Sequence, residues 1–182
     1  NFLGLNKLLS IDQYFEWYKV YQDTENPYSS ETRSTVSIGE SYRDRAFLGS
    51  RFTIYQNTLF SFDSDGAFAG WNATVGASRP LFSIHEHFGG GTSITYQDVI
   101  VRFNEQRIDE DDNLYFFLKE YRGKSISSYS YVIYSLGTVP KFNITSALYL
   151  RNIEYSHFED RFDVELPESY QRISPIVTLN YN

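Results

Sequence analysis

Residues Ala67 to Ser78 read AFAGWNATVGAS, and this stretch decides the fold. Its side chains alternate between two faces, one of which is apolar throughout, and alternation with period 2 indicates a β-strand. Strands of soluble sheets average about 5–6 residues, whereas a strand that crosses a bilayer needs about 9–11. The length of this stretch therefore predicts a membrane-crossing strand. Its predicted lipid-facing residues are Ala67, Ala69, Trp71, Ala73, Val75 and Ala77.

Less regular alternation continues on both sides of this stretch, and about eight strands are expected in all. Residues Ile11 to Tyr21 fit a helix and a strand equally well. Glu40 falls on the apolar face of its strand, which is tolerable only near a membrane interface. Pro175 predicts an edge strand or a bulge. The other predicted strands are Thr35 to Tyr42, Phe52 to Phe62, Phe88 to Phe103, Leu114 to Tyr121, Ser127 to Leu136, Phe142 to Tyr155 and Arg172 to Tyr181.

The predicted connections are of two kinds. Asp63 to Gly66 and Gly137 to Pro140 are short turns, and the first has the Asp-Gly pair of a tight hairpin. Gln22 to Ser34, Asn104 to Asn113 and Ser156 to Gln171 are long and polar. Short turns on one side and long loops on the other are typical of outer-membrane barrels. These features predict an all-β, antiparallel transmembrane β-barrel.

The composition excludes several classes of protein. The chain has 16 basic and 23 acidic residues, a formal charge of −7, and nucleic-acid binding needs clustered Lys and Arg instead. It contains no Cys, so disulfides and thiolate sites are excluded. Aromatic residues make up 18% of the chain, which fits a sheet that meets two environments. We expect one β-domain over residues 1–182, with no soluble accessory domain, in a processed protein or a piece of a longer one.

No combination of residues predicts catalysis. His85 and His87 could share a strand face, but zinc needs further ligands. Residues 109–120 resemble a calcium loop, with Asp109, Asp111, Asn113 and Glu120 in ligand positions, but Leu114 replaces the glycine that the loop's turn requires. The sequence therefore predicts no catalytic residue, no metal, no cofactor and no enzyme activity.

Short motifs in chain order resemble the BamA-type outer-membrane assembly superfamily. Residues 42–50 are similar to that family's turn of aspartate, aromatic, Leu and Gly, and residues 78–82 to its Asn-Pro-aromatic-Phe strand ending. Gly-rich residues 88–91 and the turn at 134–140 match later positions of the same order. The resemblance implies that this chain is the N-terminal half of a barrel, because the barrel of this family is larger than a chain of 182 residues could build. Its motif residues are Asp44, Phe47, Leu48, Gly49, Pro80 and Phe82.

The same resemblance implies a function and a location. Such a protein assists the insertion, assembly or secretion of other outer-membrane proteins in a Gram-negative bacterium. Its first strand, near Ile11 to Tyr21, opens laterally and templates client strands. Implied partners are outer-membrane lipids, unfolded client proteins, and accessory lipoproteins or the remainder of the barrel, with no nucleic acid.

A second hypothesis comes from a different class of protein. A secreted β-sandwich with the same composition could bind glycans by stacking aromatic rings on sugars, with Trp17, Tyr129 and Tyr131 as candidates. The two hypotheses differ in which face of the sheet is exposed. A sandwich buries its apolar faces between two sheets, whereas a membrane barrel turns them outward.

Overall fold

The computed structural model describes residues 7–20, 31–81, 85–108, 114–137, 141–158 and 164–181. These residues form strands and turns, with one short 3₁₀ segment, Phe47–Gly49, between the second and third strands. The eight strands are β1 (Lys7–Val20), β2 (Glu31–Asp44), β3 (Thr53–Asp63), β4 (Phe68–Arg79), β5 (Phe88–Ile108), β6 (Leu114–Leu136), β7 (Phe142–His157) and β8 (Tyr170–Tyr181).

All eight strands belong to one antiparallel sheet, in which each strand pairs with its neighbours in chain order. The prediction of an all-β, antiparallel protein of about eight strands is confirmed. The sheet is not a closed barrel, because β1 and β8 lie at its two edges and do not pair with each other. A glycan-binding sandwich needs two packed sheets. The described residues form one sheet, so they do not show the two packed layers of the sandwich hypothesis.

The first strand resolves the ambiguity at the N-terminus in favour of a strand. β1 pairs with β2 over its full length, from Lys7 opposite Asp44 to Val20 opposite Glu31. Isolated sequence could not decide this, because the apolar residues of β1 satisfy both periodicities. Pairing with β2 decides it, since the antiparallel ladder gives the N–H and C=O groups of alternate residues in the segment partners on β2.

The sixth strand corrects two predictions. Leu114 to Tyr121 and Ser127 to Leu136 are parts of one continuous strand, β6, and not separate strands. Residues 104–108 of the loop predicted from Asn104 to Asn113 are strand as well, because β5 extends to Ile108; residues 109–113 lie outside the described residues. The polar residues in these stretches suggested loops. Each strand instead supplies the ladder partner of the other over 21 consecutive pairs.

The fourth strand departs from the predicted alternation at its start. Ala67 lies in the preceding turn, and the strand begins at Phe68. A bulge then places Phe68 opposite Phe62 and Gly70 opposite Ser61, so that Ala69 has no partner on β3 and is buried. Gly70 has a φ of 139°, which L-residues rarely adopt. Of the predicted apolar face, Trp71, Ala73, Val75 and Ala77 keep the alternation.

The two ends of the sheet differ. One end, here called the turn end, carries the connections β2–β3, β4–β5 and β6–β7. The other, the loop end, carries β1–β2, β3–β4, β5–β6 and β7–β8. The three long loops predicted from sequence therefore share one end. Successive connections in an antiparallel sheet fall at alternating ends. The short turn at Asp63 to Gly66 therefore lies at the loop end, whereas the turn at Gly137 lies at the turn end.

The described residues enclose almost no core. Only five apolar residues among them are buried. A soluble domain of this length buries most of its large apolar side chains. The sheet therefore lacks the interior that would stabilise it in water. The five are Ala69, Leu118, Tyr121, Ile153 and Val164.

Candidate functional site

The sheet has one apolar face, and all eight strands contribute to it. Cross-strand partners in an antiparallel ladder lie on the same face. Phe60 is the partner of Trp71, and Val75 is the partner of Ile94. We call this surface the apolar face. Its most exposed residues are Leu9, Ile11, Phe15, Trp17, Ile38, Phe60, Val75, Ile94, Ile126, Val132, Leu148, Leu150, Ile173, Val177, Leu179 and Tyr181.

The exposure of this face reverses the pattern of a soluble protein. Ile11 at one edge is 77% exposed and Ile173 near the other is 71% exposed. Val75 is 52% exposed although its strand lies inside the sheet. A monomeric soluble protein rarely exposes a contiguous apolar patch larger than a few hundred Å². An exposed apolar surface of this kind is typical of protein, ligand or membrane interaction sites.

Aromatic pairs bound the apolar face above and below. Near the loop end, Trp71 lies 5.0 Å from Tyr96 and 6.4 Å from Phe60 between ring centroids. Near the turn end, the rings of Phe88 and Tyr134 lie 4.9 Å apart. Aromatic rings flanked by charge on one side and apolar surface on the other suit a boundary between two solvents.

The band between these pairs has a defined height. On β5 the apolar face carries no charged residue between Phe88 and Tyr96, a length of nine residues, and the next residue on that face is Asp98. On β6 the corresponding stretch runs from Ile126 to Tyr134, and Lys124 follows it on the same face. Charge therefore returns at the same level on both strands.

The opposite surface, here called the polar face, carries mostly hydroxyl and amide groups. Facing hydroxyls hydrogen-bond across strands: Ser10 to Ser41 at 2.7 Å, Ser37 to Ser61 at 2.8 Å and Thr74 to Thr95 at 2.9 Å. Such cross-strand pairs are compatible with water on this face, because each hydroxyl can hydrogen-bond either to its partner or to water. The alternation of the sequence thus becomes a sheet with one apolar and one polar surface.

One carboxylate interrupts the apolar face. Glu40 is exposed there, opposite Ile11 and Thr58. Gln56 donates a hydrogen bond of 3.1 Å to its carboxylate. Glu40 lies four residues from the end of β2, and the register places it in one cross-strand row with Thr58, Ala73 and Tyr96. Its position near a membrane interface stays a prediction.

The two edges of the sheet are chemically different. β1 contains neither Pro nor Gly over its 14 residues, so its outer edge offers an uninterrupted row of backbone groups. β8 contains Pro175, opposite Leu148. The predicted edge position of Pro175 is confirmed, and the missing N–H makes β8 a poorer template than β1.

Ion pairs organise the part of β5 and β6 beyond the apolar band. Arg102 makes two hydrogen bonds of 2.7 Å to the carboxylate of Asp63 and one of 2.7 Å to Glu120. Arg122 likewise makes bonds of 2.6 and 2.8 Å to Asp98. The Arg102–Asp63 pair connects the long hairpin to the β3–β4 turn, whereas the pairs with Glu120 and Asp98 join β5 to β6 within the hairpin. Sequence reasoning missed them because Asp63, Arg102 and Glu120 are distant along the chain.

The charges at this end perturb one another. Hydrogen bonds from Lys119 and then Arg107 lower the pKa of Glu105 below its usual range. The hydrogen bond to Asp98 raises the pKa of Arg122. Burial raises the pKa of Tyr121. The shifts of Glu105 and Arg122 favour the charged forms that their ion pairs use, which is the pattern of structural pairing, and the shift of Tyr121 favours its neutral phenol.

The family-like motif residues lie in two connections at the turn end. Asp44 is 3% exposed and accepts a hydrogen bond from the backbone N–H of Ala46 at 3.0 Å. Phe47, Leu48 and Gly49 form the 3₁₀ segment that follows. Pro80 comes directly after β4 and is exposed. Phe82 lies outside the described residues.

The candidate metal positions are not assembled into a site. The carboxylate of Glu86 contacts Arg51 and Arg79, and Nδ1 of His87 lies 2.8 Å from the backbone oxygen of Ser135. Glu120 pairs with Arg102, while Asp109 to Asn113 lie outside the described residues. No group of three or more potential metal ligands occurs within the described ranges.

The candidate sugar-stacking residues do not form one platform. Tyr129 and Tyr131 lie together on the polar face, with ring centroids 5.7 Å apart. Trp17 lies on the apolar face of the edge strand, stacked against Phe15. Register therefore separates the three rings between two surfaces of the sheet.

Comparisons with family models, with curated proteins and with solved structures found no match for this chain. In the part of the chain that the structure describes, no helix is long and apolar enough to cross a membrane.

Proposed function

We propose that this chain is a membrane-spanning β-barrel protein, or part of one, in the outer membrane of a Gram-negative bacterium. We further propose that it acts in the BamA manner, assisting the insertion, assembly or secretion of other outer-membrane proteins through a lateral seam. The observation that carries the first statement is the exposed apolar face, bounded by aromatic pairs and nine residues high on β5.

Exposure of the apolar face to water is unfavourable in free energy, and this favours contact with lipid. Burying one large apolar side chain contributes about 1.5–3 kcal/mol, and the apolar face exposes such side chains on every strand. The nine-residue band approaches the ~9–11 residues that a tilted strand needs to cross the hydrocarbon core. Contact with acyl chains would remove this surface from water without a second protein layer.

The open edge supports the second statement. An unpaired strand edge is a template on which another chain can add a strand. β1 offers 14 residues without a proline, and Phe15 and Trp17 on it are 56% and 71% exposed. A client strand, or the remainder of a larger barrel, would pair with this edge. Outer-membrane lipids, unfolded client proteins and accessory lipoproteins are the partners that this function would use.

The membrane assignment can be tested with single cysteines, because the chain has none of its own. Val75→Cys places a thiol on the apolar face and Thr74→Cys places one on the polar face of the same strand. In lipid vesicles, a membrane-impermeant maleimide should label the cysteine at 74 and leave the one at 75 unlabelled. Equal labelling of both, or a folded and monodisperse protein in plain buffer, would contradict the assignment.

The insertion activity needs a separate experiment. The protein in vesicles should accelerate the folding of an unfolded outer-membrane client, measured by the heat-dependent gel shift of the client. A photo-crosslinking residue at Phe15 on β1 should capture that client. The matched control is Phe60, on the same face but on interior strand β3. Equal capture at both positions, or no acceleration, would overturn the edge mechanism and leave the membrane assignment intact.

A further inference from the structure

The turn between β2 and β3 presents an apolar side chain at its tip. Leu48 is 87% exposed, the highest value among the large apolar residues described. Phe47 and Phe52 beside it are 38% and 48% exposed. The turn lies beyond the end of both strands, so these exposed apolar side chains lie past the turn-end margin of the sheet.

Leu48 is also held in a backbone conformation that leucine rarely adopts. Its φ is 52° and its ψ 34°, and Gly49 after it has a φ of 72°. Two successive residues with positive φ are the pattern of a type I′ turn, in which Asn, Asp or Gly normally occupies the first position. Leu48 is the one non-glycine residue with positive φ among the described residues. Strain of this kind persists where the surroundings enforce it.

The surroundings enforce it through hydrogen bonds rather than through packing of Leu48. The backbone N–H of Phe47 donates to Phe52 at 3.0 Å, and the N–H of Ser50 donates to Phe47 at 3.0 Å. The hydroxyl of Ser50 donates to the same Phe47 oxygen at 2.6 Å. Buried Asp44 caps the segment through Ala46. These hydrogen bonds hold the turn in its conformation, and none of them involves Leu48.

The segments at the turn end carry an excess of positive charge. The segments 43–53, 79–88 and 136–142 carry five Lys or Arg residues and two acidic residues, a net charge of +3, whereas the whole chain carries −7. Both acidic residues, Asp44 and Glu86, are largely buried and face cations. The side chains of Arg51 and Arg79 remain 65% and 45% exposed. The accessible charge at the turn end is thus positive.

We propose that the β2–β3 turn is an anchor for anionic lipid headgroups, an inference that rests on the membrane-spanning function proposed above. Leu48 and Phe52 enter the upper acyl region of the leaflet next to the turn end. Arg51 and Arg79 lie at the level of the lipid phosphates, where each basic group near an anionic surface is attracted to it. The exposed cations favour anionic headgroups over zwitterionic ones, and the apolar tip favours a lipid surface over a soluble acidic peptide.

The depth of the tip can be measured with an environment-sensitive fluorophore on Leu48→Cys. In vesicles of equal parts phosphatidylcholine and phosphatidylglycerol, lipids that carry a quencher near the headgroup should quench this probe several-fold more than one on Ser64→Cys, in the turn at the loop end. The quenching at position 48 should weaken in pure phosphatidylcholine and in the Arg51→Gln variant. Quenching no stronger than at position 64 overturns the anchor, and equal quenching in both lipids overturns its selectivity for anionic headgroups.

Two controls separate this inference from its alternatives. A probe on Val75→Cys reports whether the sheet itself lies in lipid, so a lipid-exposed probe at 75 with a water-exposed probe at 48 defeats the anchor alone, while a water-exposed probe at 75 defeats the membrane function. Leu48→Asn suits the type I′ position better than Leu. It should leave thermal stability unchanged or higher and should move a probe on Phe52→Cys into water. Lower stability with no movement of that probe would assign Leu48 a structural role instead.

Discussion

The ring of Tyr55 lies directly over Gly76 on the polar face. A Cβ placed on Gly76 would come within 2.4 Å of Cζ of Tyr55, and the two residues are direct cross-strand partners on β3 and β4. An aromatic ring that covers a strand glycine replaces the packing that the glycine lacks and fixes the register of the pair. Tyr131 approaches Gly91 in the same way between β6 and β5.

The first prediction concerns this pair. Gly76→Ala should displace the Tyr55 ring and destabilise the sheet by about 1–3 kcal/mol, the usual cost of overpacking. Gly123→Ala is the matched control, because its Cβ would meet neighbours at no less than 3.5 Å. Unfolding by denaturant in detergent micelles measures both. The same loss in both variants would show that the ring does not depend on the missing Cβ.

The second prediction concerns the charged part of the β5–β6 hairpin. Arg102→Met leaves the carboxylates of Asp63 and Glu120 facing each other without their shared cation, and both are 14% exposed or less. Removing one partner from a largely buried ion pair costs about 3–5 kcal/mol. Amide hydrogen exchange in residues 99–108 should accelerate strongly as the hairpin loosens.

The matched control for this change is Arg107→Met on the same strand. Arg107 pairs with Glu105 at 3.0 Å, but both side chains are more than one third exposed. Water screens such a pair, so the exchange rates should change little. Comparable acceleration in the two variants would mean that the buried network does not hold the hairpin.

The third prediction tests the two faces at one depth. Ala73 lies on the apolar face opposite Tyr96, whereas its neighbour Thr74 lies on the polar face. Ala73→Arg should cost about 2–4 kcal/mol if the residue lies at the bilayer midplane, because a charge then faces acyl chains. Thr74→Arg should cost less, since its guanidinium can reach water. Folding free energies in lipid vesicles distinguish the two, and the reverse order would contradict the assignment of faces.

The fourth prediction concerns the free edge. β1 has a neighbour on one side only, whereas β4 is paired on both. Backbone amides that lack a second strand open more readily. The amides of β1 should therefore exchange faster than those of β4 in the absence of a client. A client that adds a strand to β1 should slow them, and slow exchange in the free protein would argue against a seam at this edge.

The sequence alone determined the type of secondary structure and the chemistry of the two faces. Period-2 alternation is a local property, so Trp71, Ala73, Val75 and Ala77 could be placed on one face from their spacing. The edge position of Pro175 also followed locally, because a strand with neighbours on both sides would need the N–H that proline lacks. The strand character of residues near Ile11 was not determined in this way, since their apolar residues fit both periodicities.

Only the tertiary structure decided features that depend on pairing between distant residues. The bulge at Ala69 and Gly70 broke a perfect local alternation because of the strands on either side. β3 places Phe68 opposite Phe62, and β5 places Gly70 opposite Val99. Arg102 joined Asp63 and Glu120 because β5 and β6 extend together past the β3–β4 turn. The exposed tip at Leu48 arose because hydrogen bonds within its turn, and not burial of its side chain, set the backbone. Strand register and ion pairs between distant residues leave no local pattern in the sequence. The sequence therefore contains these residues but does not show which of them are in contact.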